Sequence, residues 1–122
     1  MNSRHLVRVA LGTGLLLVSL IAAGCGGVGP GGREVGGACQ TDRDCARTCF
    51  AGDSHYPGGI CSARCTSDAQ CPGGTACVDD LGGICAVLCA GANSCSGFGR
   101  GFQCDSENRR GAPGEVTVCR VP

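Results

Sequence analysis

Residues Cys65 to Cys85 read CTSDAQCPGGTACVDDLGGIC. Four cysteines fall in this stretch, with five, five and seven residues between them. The same order of cysteines lies on either side. Cys39, Cys45, Cys49 and Cys61 precede it, and Cys89, Cys95, Cys104 and Cys119 follow. Each set opens C-x5-C, as CQTDRDC, CTSDAQC and CAGANSC. The first two sets close on the same string, GGIC, at 58–61 and 82–85, and three residues then lead to the next set. The first cysteines recur after 26 and then 24 residues, so the chain is read as tandem copies of one small unit.

The residues between the cysteines suggest what a unit looks like. Ser67-Asp-Ala-Gln70 has the form of a capping box, which predicts a single helical turn. No apolar 3.6-residue period follows it, so no long helix is expected. Thr75–Val78 and Gly83–Val87 read as short strands, with Asp79–Gly82 as the turn of a hairpin. The third unit is expected to pair Phe102–Cys104 with Val116–Cys119 around a long loop. The predicted fold class is therefore small and disulfide-rich: three tandem four-cysteine units of a turn plus a short β-hairpin, with little regular secondary structure. Four cysteines allow three pairings. First-to-third with second-to-fourth is the expected one, because it places both bridges across the hairpin base. The spacing leaves the other two pairings, and bridges between units, open.

The N-terminus reads as an export signal over 1–24. Arg4 and Arg8 stand without acids, the uncharged run Val9–Ala23 follows, and Ala22, Ala23 and Gly24 are small. The run is short for a membrane span, which needs about 20 residues. Cys25 after Ala-Ala-Gly resembles a bacterial lipobox, in which the cysteine thiol takes a diacylglycerol and becomes the new N-terminus. Parity agrees: of 13 cysteines, removing Cys25 leaves an even set. Residues 26–37, GGVGPGGREVGG, hold seven glycines and one proline, so 25–37 is read as the lipid-anchor cysteine plus a flexible tether. The G-x-G-x-x-G inside it lacks the strand and helix of a nucleotide site. The cysteine-rich domain is expected over 38–120, with units at about 39–64, 65–88 and 89–119.

The C-x5-C openings, the GGIC closings and the CPGGTAC string at Cys71–Cys77 resemble cysteine-rich repeats in lipoproteins of myxobacteria and their relatives. A looser similarity links the region to EB-type and Dickkopf N-terminal cysteine-rich modules. The resemblance covers about 37–119. It implies an exported, disulfide-bonded, surface-attached module of the bacterial envelope, at the outer membrane where the cell has one. It implies no activity.

Composition narrows the function further. Beyond residue 24 the chain has eight arginines, no lysine and ten acids, which argues against nucleic acid as a partner. Metal needs close cysteine pairs or histidines at regular spacing, and neither is present; the C-x-x-C redox motif is also missing. Asp53-Ser54-His55 has the residue types of a triad, but three consecutive side chains do not build its hydrogen-bond chain. Asp42, Asp44, Asp79 and Asp80 are calcium-type ligands in segments that read as turns. No catalytic residue, metal or cofactor is assigned. The expected partners are a membrane, through Cys25, and a protein or glycan of unknown identity, in a binding, adhesion or structural role. Phe50, Tyr56, Phe98 and Phe102 are the aromatic candidates for contact or core. The alternative function is inhibition of an extracellular serine protease, with Arg109 and Arg110 presented on the 105–118 loop.

Overall fold

In each unit the third and fourth cysteines face one another across a hairpin. Strands β1 (Thr48–Phe50) and β2 (Ile60–Ser62) align Cys49 with Cys61. Strands β3 (Thr75–Val78) and β4 (Ile84–Val87) align Cys77 with Cys85. Strands β5 (Gln103–Asn108) and β6 (Glu115–Arg120) align Cys104 with Cys119. Directly opposed residues point to the same face of the ladder. Each hairpin therefore offers two sulfurs side by side, and the preceding C-x5-C turn docks onto them. The bridges of this computed structural model, which describes residues 27–122, are Cys39–Cys49, Cys45–Cys61, Cys65–Cys77, Cys71–Cys85, Cys89–Cys104 and Cys95–Cys119. All six follow the first-to-third, second-to-fourth order.

The turn inside C-x5-C is a single 3-10 turn in the first two units, at Asp42–Asp44 and Asp68–Gln70. One acid positions it. The aspartate three residues after the first cysteine accepts the backbone N–H of the third: Asp42 from Cys49 and Asp68 from Cys77, each at 2.8 Å. The last turn residue reaches back. Asp44 accepts from Gln40 and Thr41 N–H, and Gln70 from Thr66 N–H. These two backbone donors hold the Asp44 carboxyl below its ordinary pKa. Gln70 thus caps from Thr66, one residue earlier than the box at Ser67 suggested.

The GGIC close has an equally local cause. Gly59 and Gly83 both have positive φ, and a Cβ there would lie 2.5 Å from the Cys39 carbonyl oxygen and 2.6 Å from that of Cys65. The second strand passes so close to the first cysteine that only glycine fits. The third unit has neither device. Ala92 replaces the aspartate and Thr117 replaces the glycine, and the Thr117 hydroxyl donates to the Cys89 carbonyl at 2.7 Å.

Two expectations are corrected. The 105–118 segment is not a long loop: β5 and β6 pair over six residues each, leaving only the turn between them. Val116 and Val118 alternate toward the core, which supplies the strand signal, whereas polar Gln103–Asn108 conceals its partner. Nor does the glycine-rich stretch act as a tether over its described part, 27–37. Val35 is buried, Gly36 donates to the Cys61 carbonyl and Gly37 accepts from Cys61 N–H. Gly32, Gly36 and Gly37 sit where a Cβ would strike backbone at 2.5, 2.4 and 2.7 Å. Here glycine permits close backbone packing, and paired backbone groups replace absent side chains.

The three units share one core. Phe50, Tyr56 and Ile60 of the first pack with Val78, Ile84 and Ala86 of the second and Val118 of the third. Backbone bonds cross the same boundaries, from Cys85 N–H to the Ala63 carbonyl and from Arg110 N–H to the Cys77 carbonyl. The glycine-rich segment meets all three. It bonds Cys61, its Val28 lies beside Gly74, and its Pro30 and Gly36 abut Gly97 and Phe98.

Candidate functional site

The charged residues of the second and third units are complementary. The second carries Asp68, Asp79 and Asp80 and no arginine. The third reaches each of them, through Arg109, Arg110 and Arg120 respectively. These contacts differ in burial. Arg109 and Asp68 are about one-third exposed, and Arg110 and Asp79 are more exposed and 3.9 Å apart. Arg120 is nearly enclosed. Its guanidinium donates to Asp80 at 2.8 Å, to Asp105 at 2.7 Å and to Glu107. Asp80 also accepts the Tyr56 hydroxyl at 3.1 Å, so this network joins all three units.

Its electrostatics follow from burial. Burial foremost, then the Asp80 charge and hydrogen bond, raise the Tyr56 phenol well above its ordinary value. For Arg120, burial alone would lower the pKa. Hydrogen bonds to Asp105 and Asp80, with the charges of Asp80 and Glu107, outweigh it and hold the guanidinium protonated. Among the described residues, no buried polar side-chain atom is left without a partner.

The residues singled out from sequence fall into two groups. Tyr56 is 1% exposed and Phe50 is buried, so both belong to the core and not to a contact surface. Phe102 packs on that core and stacks with Phe98, at 5.7 Å between centroids, while Phe98 lies over Gly36. Arg109 and Arg110 are docked onto the second unit. Gly111 sits behind them where a Cβ would lie 2.2 Å from the Thr66 carbonyl oxygen. Arg109 pairs with Asp68, while Arg110 lies at the surface 3.9 Å from Asp79. The aspartates considered for calcium are committed to turns and ion pairs. In the Asp53-Ser54-His55 stretch, Asp53 accepts from His55 and Tyr56 N–H, and the His55 ring bonds the Val121 carbonyl at 2.8 Å. His55 thus holds the penultimate residue Val121, whose N–H also donates to the His55 carbonyl at 3.0 Å.

Three sulfur clusters have metal-like proximity: Cys39, Cys45 and Cys49; Cys65, Cys71 and Cys85; and Cys89, Cys95 and Cys119. Each is the meeting of two bridges. A disulfide sulfur has no thiolate to offer, so bridging and metal ligation are exclusive uses of these atoms. A groove of about 250 Å³ lies between the glycine-rich segment and the second unit, with Val35, Ala63, Cys71 and Pro72 among its walls and Glu34 and Arg47 at opposite sign. At the edge of this groove the Gly27 carbonyl accepts from Glu34 and Val35 N–H.

The sequence pattern missed the Arg120 cluster. Its members are up to 64 residues apart, from Tyr56 to Arg120, and only the imbalance of acids in one unit and arginines in the next signals it. No family model matches this chain, and neither the curated proteins nor the solved structures contain a match to it. Six disulfides are characteristic of proteins from exported, oxidising compartments. Among the described residues no helix is long and apolar enough to cross a membrane.

Proposed function

We propose that this protein is an envelope-anchored, non-enzymatic module. Export removes 1–24, a diacylated Cys25 holds the chain at a membrane, and the disulfide body serves in binding, adhesion or structure toward a protein or glycan. The observation that carries the reading is the cysteine accounting. Twelve cysteines pair completely within their own units, and Cys25, outside the described residues, is the thirteenth. Two acyl chains hold a protein firmly where one gives only marginal binding. Gly26 after the cysteine is not an inner-membrane retention residue, which favours the outer membrane.

Replacement of Cys25 by alanine tests the reading. Cell fractionation should find the native chain in the membrane pellet and in the detergent phase of a two-phase extraction. The variant should leave both, with its six bridges unchanged. A variant that stays in the detergent phase contradicts the anchor.

A further inference from the structure

We infer that the face bearing Val28, Gly73, Gly74 and Leu88 rests against the lipid surface that Cys25 is fixed to, so that the module lies on the membrane and does not stand off it. This rests on the anchor reading above and adds an orientation to it.

Val28 and Leu88 are the large apolar side chains left exposed among the described residues, at 37% and 42%. A single exposed apolar side chain would be unremarked on any protein. These two share a neighbour. A Cβ at Gly74 would lie 3.8 Å from Val28 Cγ1, and the Gly74 carbonyl accepts the Leu88 N–H at 3.0 Å. Gly73 and Gly74 between them are exposed and carry no side chain, and Pro72 beside them is half-buried. The surface is therefore low, apolar and uncharged along 72–74.

Its position relative to the chain start gives it an occupant. Cys25 precedes Val28 by three residues, a reach of at most about 10 Å. The Gly27 carbonyl is held by the Glu34 and Val35 N–H groups, so that reach is counted from a fixed residue. A lipid on Cys25 must enter its membrane within that reach of Val28. Glu34 and Arg47, at the adjoining groove, are opposite in charge, so attraction to anionic headgroups is not what seats the face. Contact should therefore be insensitive to salt and to lipid charge.

Hydroxyl-radical footprinting of the full lipidated chain in phosphatidylcholine vesicles tests this, with intact mass measured on the same preparation. The expected result is acyl mass on the chain and oxidation of Val28 and Leu88 reduced about threefold or more relative to the Cys25→Ser protein in buffer. Pro57 and Pro113 should be unchanged, and 0.5 M salt (about a 4 Å screening length) should not restore reactivity. Acyl mass with Val28 and Leu88 still fully reactive would overturn the orientation and leave the anchor standing. Absence of acyl mass would overturn the anchor and this surface with it. Protection in vesicle-free buffer that grows with protein concentration would mean a second copy covers the face, and would also overturn it.

Discussion

The second and third units reach the same covalent pattern by different chemistry. In the second, Asp68 pins the Cys77 N–H and Gly83 lets the strand close against Cys65, so four-residue strands suffice. In the third, Ala92 and Thr117 remove both devices, the 3-10 turn moves to Ser96–Phe98, and the strands lengthen to six residues. The third then borrows order from its neighbour through Arg109, Arg110 and Arg120. A repeat that loses its local determinants can keep its fold if it gains contacts across the unit boundary. The cysteines remain because the bridges set the topology; the residues that ease their formation vary.

Removing bridges should separate the second and third units most visibly. Cys71→Ala with Cys85→Ala takes out a bridge whose Cys85 end is fully buried, and should cost about 4–5 kcal/mol in denaturant unfolding. Cys89→Ala with Cys104→Ala removes a half-buried bridge from a hairpin held by other means, and should cost about 2–3 kcal/mol. Equal losses would mean that the ion pairs and longer strands contribute nothing to the third unit.

Arginine substitutions sharpen the same point. Arg120→Met leaves Asp80, Asp105 and Glu107 facing one another with little solvent, and should cost about 3–5 kcal/mol by the same measurement. Arg109→Ala, at a pair one-third exposed, should cost no more than about 1 kcal/mol. Gly36→Ala should fall between them, at about 2 kcal/mol, since its φ is positive and its Cβ would meet Gly29 and Phe98. A thermal melt identical to the parent's would restore the flexible tether.

A further effect is one of pH, confined to alkaline solution. The chain has one tyrosine and no tryptophan, so phenolate absorbance reports on Tyr56 alone. Its folded pKa is raised above the unfolded value of about 10. The folded state therefore holds this proton more tightly. The stability it contributes is complete below pH 10 and is lost above it, at up to about 1.4 kcal/mol per pH unit. Phenolate should appear only together with unfolding. Ionisation near pH 10 in the folded protein would detach Tyr56 from the Asp80–Arg120 network.

Local features of the fold were legible in the sequence, and long-range ones were not. Cysteine spacing and the GGIC repeat carried the units, the turns and the hairpins, because each is fixed by residues a few positions apart. The pairing was one of three per unit; the Cys77–Cys85 rung sets two sulfurs side by side, and the docking of the C-x5-C turn decides which partner each takes, which spacing alone does not select. The Arg120 cluster stayed hidden because Tyr56, Asp80 and Arg120 meet only after all three units pack. The segment 27–37 misled for a different reason. Glycine abundance signals flexibility in an isolated chain, but here Gly32, Gly36 and Gly37 are the positions where backbones touch.

In the proposed arrangement twelve cysteines form the body and the thirteenth holds it to a membrane. Mass analysis of the native membrane-fraction protein, alkylated without reduction and then cleaved without reduction, tests it directly. The expected result is a chain beginning at Cys25 with acyl mass, no alkylated thiol, and bridged peptides joining first to third and second to fourth cysteines in every unit. Alkylated thiols, bridges between units, or a Cys25 without lipid would contradict it.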